Sequence, residues 1–217
     1  MTAPLTIAID GPAAAGKGTL AKRVAERYRL PYLDTGLLYR AVGRQVTIGN
    51  ADPDDPEMAG AIARKLDIAH LDEPGLRGHD AGELASRVAV HQPVREALVA
   101  FQRSFASRAE GAVLDGRDIG TVICPHARVK IFVTASPEVR ARRRTDELLS
   151  HGREDIDYDR ILAEVKARDE RDSLRAVAPL RPAADAHLLD TSELDIDAAF
   201  RAACEVVDRV LAEPGRH

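Results

Sequence analysis

Short apolar runs and longer helical repeats alternate along most of this chain. Runs typical of buried strands occur at 5–9, 112–114, 129–133 and 187–189, and the segments between them carry apolar residues at helical spacing. Such alternation is typical of βαβ units, in which helices cover a parallel sheet. The pattern therefore predicts an α/β fold with a central parallel sheet.

Two helices have clear beginnings in the sequence. Ser136-Pro137-Glu138 follows the third apolar run and combines an N-cap residue, a proline at the first helical position and an early acid. Near the C-terminus, Asp195 precedes a helical repeat from Ile196 to Val210. We expect this last helix to cover the core.

Two regions depart from the alternating pattern. Between Pro31 and Gln92 the chain is richer in Asp, Pro and Gly, which predicts an insert at about 35–94, outside the central sheet, with helices of its own and room for a small hairpin. A polar segment from Arg142 to Asp159 joins two helical patterns and lacks a strong apolar face. We interpret its middle, about 144–158, as a mobile lid on a single domain that spans 1–217.

A glycine-rich segment directly follows the first apolar run. A helical face that includes Leu20, Val24 and Tyr28 comes after it, so the segment joins a strand to a helix. In that arrangement, backbone N–H groups and the positive helix end face an anion, and a lysine reaches the outer phosphates of a nucleotide. An ordinary glycine-rich turn is the alternative, which the flanking patterns disfavour. The residues predicted to bind ATP or GTP are Gly11, Pro12, Ala13, Ala14, Ala15, Gly16, Lys17, Gly18 and Thr19.

The residue after the lysine bears on metal binding. A Ser or Thr usually stands there as a Mg²⁺ ligand, but this chain has Gly18 and moves the hydroxyl to Thr19. We therefore expect Mg²⁺ to be held through water and the nucleotide, with Thr19 and Asp115 as candidate protein ligands. Asp115 follows the second apolar run, and ligands of a parallel sheet bind at the carboxyl ends of its strands. Alternatively, an Asp before Gly is a common turn residue. The G-K-G-T ending favours small-molecule kinases over switch GTPases.

Composition narrows the possible partners. The chain has 217 residues with 45% hydrophobic and 30% charged, which suits one globular domain, and its net charge of -4 argues against a broad nucleic-acid surface. No apolar run approaches the about 18 residues that span a bilayer. Cys124 and Cys204 lack metal-binding or redox spacing, so we expect a cytoplasmic protein. Nothing in the sequence suggests an obligate oligomer, and we expect a monomer.

Arginines cluster in two places. Arg168, Arg171, Asp172 and Arg175 are three, four and seven residues apart, so they share one helical face. One interpretation is a ladder of ion pairs along the helix. However, three arginines beside a single acid need further negative charge, which favours a bound polyphosphate. The cluster at 140–144 is either a solvated helix end or contains an arginine that faces phosphate.

Five motifs, in order, carry a resemblance that runs over nearly the whole chain. They are G-P-A-A-A-G-K-G-T, L-D-T-G-x-x-Y-R, P-V-R-E-A-L, D-G-R-D-I-G-T-V and R-D-E-R-D-S-x-R-A-V-A-P-L. Together they resemble bacterial cytidylate kinases, within the nucleoside monophosphate kinase group of P-loop kinases. The resemblance implies a P-loop three-layer fold with a central parallel sheet, a monophosphate-binding insert and a short lid. It also implies ATP-dependent phosphorylation of CMP and dCMP to CDP and dCDP by direct in-line transfer, with Mg²⁺.

The resemblance also implies roles for single residues. Lys17, Arg117 and Arg175 would be catalytic, and the substrate would contact Thr35, Arg40, Ser86, Arg95, Arg117, Asp118, Arg168 and Asp172. Among these, Arg40 and Arg117 would bind the phosphate of CMP, Ser86, Arg95 and Asp118 the base, and Arg168 and Asp172 the ribose, while Arg175 would contact the phosphates in transfer.

The assignment of the base also has a chemical basis of its own. Cytosine presents an amino donor beside two acceptors, so a carboxylate and a guanidinium complement it. Other P-loop kinases, acting on UMP, AMP, shikimate or dephospho-coenzyme A, remain the nearest alternative. A switch GTPase is disfavoured because the chain has no N-K-x-D motif.

Overall fold

A computed structural model describes residues 4–68, 71, 74–76 and 79–213. Within them, five parallel strands form one sheet in the order β2-β3-β1-β4-β5. The strands are β1 (Thr6–Asp10), β2 (Tyr32–Asp34), β3 (Ala112–Gly116), β4 (Val129–Thr134) and β5 (His187–Asp190). The α/β fold with a central parallel sheet is confirmed.

Helices fill the connections between the strands. They are α1 (Lys17–Tyr28), α2 (Thr35–Ile48), α3 (Pro56–Arg64), α4 (His79–Val88), α5 (Gln92–Ala106), α6 (Pro137–Ser150), α7 (Tyr158–Leu174) and α8 (Ile196–Ala212). A short 3₁₀ turn at Pro74–Leu76 and a π-helical turn at Ile119–Ile123 complete the described elements. No described helix combines the length and apolar character needed to cross a bilayer.

The sheet separates two layers of the core. Ile7 and Ile9 of β1 pack on one face with α1 and α8, while Ala8 between them packs on the other with α5 and the π-helical turn. This alternation follows from the two-residue repeat of a strand, which points successive side chains to opposite faces. The result is the expected three-layer arrangement.

Both predicted helix beginnings are confirmed. The Ser136 hydroxyl accepts a hydrogen bond from the Val139 N–H at 3.3 Å, and the Asp195 carboxylate accepts one from the Ala198 N–H at 2.6 Å. These caps fix where α6 and α8 leave their loops.

One strand was missed, and its position corrects the predicted insert. The region from Pro31 was placed outside the sheet, but β2 pairs with β3 at one sheet edge. Its three residues include a half-buried tyrosine and an aspartate, so no apolar run marks it. The described residues between β2 and α5 form helices and turns without the hairpin for which the prediction left room, while 69–70, 72–73 and 77–78 lie outside the described residues.

The segment from Arg142 to Asp159 is more helical than expected. It includes the end of α6 and the first residues of α7, so only 151–157 form a non-helical linker. Its apolar face was also underestimated, because Leu148 is buried against Ile161 and Val165 of α7. The two helices therefore form a packed hairpin whose tip is the linker.

Candidate active site

The glycine-rich segment forms the loop between β1 and α1, residues 11–16, and the first turn of α1, residues 17–19. Gly11 is required there, because a Cβ would lie 2.0 Å from the Val133 carbonyl oxygen. Gly16, at φ +81°, adopts the left-handed conformation just before α1. No side chain caps the first turn of α1, so its backbone donors are available to an anion.

Lys17 points into a group of buried charges at the carboxyl ends of the strands. Burial, followed by the nearby Arg117, lowers the pKa of its ammonium, whereas Asp115 and Asp34 act in the opposite direction. Burial also raises the pKa of Asp115, with Lys17 opposing the shift and the hydrogen-bonded Asp34 carboxyl adding to it. Two carboxyl groups and one ammonium thus share a site beside the loop.

The structure gives a physical reason for the glycine after the lysine. A Cβ at Gly18 would lie 3.3 Å from Asp115 Oδ2 and 3.9 Å from the Tyr32 hydroxyl. A serine or threonine would therefore crowd the Asp115 carboxyl. The carboxylates beside this position are those of Asp34 and Asp115. Hard oxygen donors of this kind suit Mg²⁺.

Asp10 is a buried acid that the sequence reasoning missed. Its carboxylate accepts hydrogen bonds from the backbone N–H groups of Ile119 at 2.8 Å and Gly120 at 2.7 Å. Burial raises its pKa to about 6, although those two bonds oppose the shift. Asp10 therefore connects the end of β1 to the turn after Asp118. In the sequence, its position as an acid directly after an apolar run is the signal that could have identified it.

A second group of site residues surrounds a cavity of about 50 Å³ between α2, α4, α7 and the end of β3. Arg175 lines this cavity, and so does every predicted substrate residue except Arg40. Those substrate residues are Thr35, Ser86, Arg95, Arg117, Asp118, Arg168 and Asp172. A larger cavity of about 610 Å³ between α2 and α3 has no predicted site residue among its described walls. The candidate chemistry is therefore concentrated around the smaller cavity.

Arg95 and Asp118 form a buried ion pair at this cavity. The Arg95 guanidinium also donates to the Ala89 carbonyl at 3.3 Å and lies 5.6 Å from the centre of the Tyr39 ring. Arg175 Nη2 is 3.6 Å from the other Asp118 oxygen, beyond hydrogen-bond distance. The pair is thus held in place at the cavity wall.

Arg117 and Arg168 meet a single carboxylate, that of Asp172. Arg117 Nε is 3.0 Å from Asp172 Oδ2, and Arg168 Nε is 3.9 Å from the same oxygen. Burial alone would raise the pKa of Asp172, but Arg117, Arg168 and Arg175 outweigh it and the pKa is lowered. The site holds more positive than negative charge here, which favours an anionic ligand.

Two buried guanidinium donors have no hydrogen-bond acceptor among the described residues. They are Arg168 Nε and Arg175 Nη2, both on residues that line the cavity. Because a buried unpaired donor is costly, these groups point to a ligand that supplies the acceptors.

Thr35 and Arg40 lie on α2 at the margin of this group. The Thr35 hydroxyl donates to the Asp115 carbonyl at 2.7 Å, so only its lone pairs face outward. Arg40 donates to the Leu76 carbonyl at 3.0 Å. A Cβ at Gly82 on α4 would lie 3.2 Å from Arg168 Nη1 and 3.9 Å from Arg40 Nη2, so the two guanidinium groups converge there.

The arginine face of α7 differs from the prediction in two respects. Arg171 faces away from the cavity and pairs with Glu83 at 2.8 Å, and Arg175 follows the helix end in an extended conformation. The inference that the three arginines have only one acid beside them is therefore wrong for Arg171, which pairs with Glu83, and for Arg175, which also lies near Asp118. Tertiary partners on α4 and after β3 cannot be read from spacing along α7.

The cluster at 140–144 is not a uniformly solvated helix end. Arg140 is buried, forms an ion pair with Asp169 of α7 and donates to the Ala13 carbonyl of the glycine-rich loop at 3.3 Å. Arg143 donates to the Thr191 hydroxyl at 3.0 Å, and Arg144 pairs with Glu147. Arg140 thereby supports the loop from behind, a role that sequence reasoning missed.

A phosphate-binding loop that joins the first strand of a parallel sheet to a helix, with a lysine beside carboxylates at the strand ends, defines a P-loop nucleotide-binding protein. The cytidylate kinase family model matches residues 7–213, and the chain belongs to that family. The cytidylate kinase of Brucella suis is 55% identical over 213 residues, which cover 98% of this chain and 97% of that protein. The cytidylate kinase of Agrobacterium fabrum is 58% identical over 206 residues, covering 95% and 98%.

A solved structure supports the fold alone. An uncharacterised protein from Eubacterium ventriosum aligns with a TM-score of 0.55 at 16% identity, covering 96% of this chain and 99% of that chain. The overall architecture therefore has a counterpart among known structures.

Proposed function

We propose that this protein transfers the γ-phosphoryl group of ATP to CMP or dCMP, forming ADP and CDP or dCDP. Membership of the cytidylate kinase family supports the reaction. The observation that carries the proposal for this chain is the arginine-lined cavity, with the buried Arg95–Asp118 pair, beside a phosphate-binding loop and Lys17.

ATP would bind with its phosphates against the glycine-rich loop. The uncapped first turn of α1 and the loop N–H groups supply donors, and the Lys17 ammonium supplies a positive charge. Mg²⁺ would bind mainly through water and the nucleotide, with Asp115, its neighbour Asp34 and Thr19 as the oxygen donors within the site. When bound, the ion offsets negative charge on the phosphates.

CMP would occupy the smaller cavity. Asp118 can accept from the cytosine amino group and Arg95 can donate to N3 or O2, with Ser86 as a further contact to the base. Arg168 and Asp172 would bind the ribose, and Arg117 and Arg40 the phosphate. Uracil would turn a carbonyl toward the Asp118 carboxylate, so UMP should be a poor substrate.

The chemical step needs no general base in this arrangement. The attacking oxygen belongs to the CMP phosphate and is already anionic at neutral pH. Positioning and charge stabilisation must then supply the rate. Lys17, Arg117 and Arg175 would neutralise the oxygens on which charge develops.

A closing movement is part of the proposal. We propose that the insert at about 35–94 moves relative to α7 as a nucleotide enters the cavity between α2, α4 and α7. The lid at 144–158 would then exclude water, which competes as an acceptor.

The wider setting is also proposed. The net charge of -4 supports small-molecule substrates over a nucleic-acid partner, and we propose that the protein has no membrane partner. We propose a monomer in the cytoplasm.

An acceptor panel tests this function. CMP, dCMP, UMP, AMP and shikimate are each supplied with ATP and Mg²⁺, and ADP release is measured. We expect CMP and dCMP to give the highest kcat/KM. Equal use of UMP would overturn the base assignment, and activity with shikimate alone would overturn the function.

A further inference from the structure

The Ser86 hydroxyl is held between two groups of opposite hydrogen-bonding character. Arg171 Nη1 donates to Ser86 Oγ at 2.9 Å, and Ser86 Oγ in turn donates to Asp172 Oδ1 at 3.3 Å. Arg171 lies on α7 and Ser86 on α4, so the contact joins the helices on either side of the cavity. Ser86 itself is 3% exposed.

Each of these two neighbours can take only one role in a hydrogen bond, either donor or acceptor. A guanidinium has donors and no acceptor, and the ionised Asp172 carboxylate has acceptors and no donor. The serine proton must therefore point toward Asp172, and one of the two lone pairs of the hydroxyl is used by Arg171. One lone pair remains, so Ser86 offers only an acceptor to the cavity.

A hydroxyl that can only accept discriminates between pyrimidines. It fits the amino group at C4 of cytosine and repels the carbonyl at C4 of uracil. A freely rotating serine hydroxyl would lack this selectivity, because it could turn and donate to the carbonyl.

Glu83 holds the arginine in this position. Its carboxylate is 2.8 Å from Arg171 Nη2, and both residues are partly exposed, at 47% and 31% of their side chains. Arg171 thus reaches Ser86 from outside the cavity and lines no part of the described cavity wall. This exposure also means that its removal leaves no buried unpaired charge.

We propose that Arg171 is a positioning residue for base specificity: held by Glu83, it fixes the Ser86 hydroxyl as an acceptor and so favours cytosine over uracil. This inference rests on the proposed function, because it assumes that the cavity binds the base.

The test compares kcat/KM for CMP with kcat/KM for UMP in the wild type and in Arg171→Met, Arg171→Lys and Glu83→Gln. We expect Arg171→Met to lower the CMP-to-UMP ratio about tenfold, since one charge-assisted contact to the hydroxyl is lost. Arg171→Lys, which restores a donor, should recover most of the ratio, and Glu83→Gln should lower it about threefold. Arg160→Met is the matched control, because Arg160 is an exposed arginine of α7 with an acidic partner at i+4.

The outcomes separate the two proposals. A wild type that makes no CDP would overturn the proposed function. A wild type that prefers CMP, with an unchanged ratio in Arg171→Met, would overturn only the role of Arg171. Should Arg171→Met fail to fold, an unchanged ratio in Glu83→Gln would overturn that role as well. A loss of thermal stability with the ratio preserved would show that the contact is merely structural.

Discussion

Buried arginines and carboxylates occur together around the cavity, and their arrangement decides what each residue contributes. Arg95 meets Asp118 and Arg117 meets Asp172, while Arg168 and Arg175 keep unpaired donors. Taking a charge out of water is costly unless it is compensated. The excess of donors is therefore best explained as provision for the phosphate and ribose oxygens of a nucleotide.

Lys17 gives the strongest expected effect of a single substitution. Lys17→Ala should lower kcat/KM by at least about 100-fold, because a preorganised positive charge at the transferred phosphoryl group is lost. Lys22→Ala, an exposed position on the same helix, is the control and should keep wild-type kinetics. Steady-state kinetics check the prediction, and near-normal activity of Lys17→Ala would contradict the site assignment.

Arg40 should affect one substrate more than the other. Arg40→Ala is expected to raise KM for CMP about tenfold with little change in KM for ATP, because Arg40 converges with Arg168 on the acceptor side of the site. Measuring both constants in one preparation provides the internal control. An unchanged KM for CMP would remove Arg40 from the acceptor site.

Asp10 should make stability depend on pH in a specific direction. Its pKa is about 6 in the folded protein against 3.8 for an unperturbed Asp, so the folded chain binds this proton more tightly. The contribution of Asp10 to the free energy of unfolding is thus fully present well below pH 3.8, falls as the pH rises through about 6 and is constant at higher pH.

Urea unfolding at several pH values measures this contribution. The difference in unfolding free energy between wild type and Asp10→Asn, which cannot titrate, should fall by about 2 kcal/mol between pH 4 and pH 7. A difference that rises with pH would contradict the assignment.

At the scale of elements, local signals identify most of the fold. Apolar runs located β1, β3, β4 and β5 to within two residues at either end, and cap residues located the beginnings of α6 and α8. β2 was not predicted, because a strand of three residues at a sheet edge is too short to show a recognisable apolar run. Pairing between elements is the part that one-dimensional spacing cannot give.

Because spacing along the sequence does not show which elements pack together, only some of the site residues could be predicted. The loop residues and Arg95, Arg117 and Asp118 stand in recognisable motifs. The structure brings the loop, Arg117 and Asp118 to neighbouring strand ends, and Arg95 of α5 pairs with Asp118 there. Arg140 and Arg171 act through contacts with residues distant in sequence, Ala13 and Ser86. The roles of Arg140 and Arg171 can be inferred only from the structure, which shows how α6, α7 and α4 pack.

The cap of α8 gives a prediction for an element away from the cavity. Asp195→Ala should lower the free energy of unfolding by about 1 kcal/mol, because the Ala198 N–H loses its acceptor, while kcat/KM stays unchanged. Glu205→Ala, at an exposed position of the same helix, should change stability by less than about 0.5 kcal/mol. Equal effects of the two substitutions in urea unfolding would show that the cap contributes nothing.

At the scale of the whole molecule, parallel strand ends bring two anion-binding sites side by side. β1 delivers the glycine-rich loop and Lys17, and β3, its neighbour in the sheet, delivers Arg117 and Asp118. The α6–α7 hairpin contributes Arg168 and Asp172 from a third direction. Direct transfer between two bound nucleotides is the reaction that this geometry suits best.

Product analysis of the purified protein with ATP, Mg²⁺ and CMP tests that claim most directly. Chromatographic separation of all four nucleotides over time should show one CDP formed for each ADP, and replacing CMP by UMP should nearly abolish both products. ADP that accumulates without CDP, or UMP consumed as readily as CMP, would contradict the account.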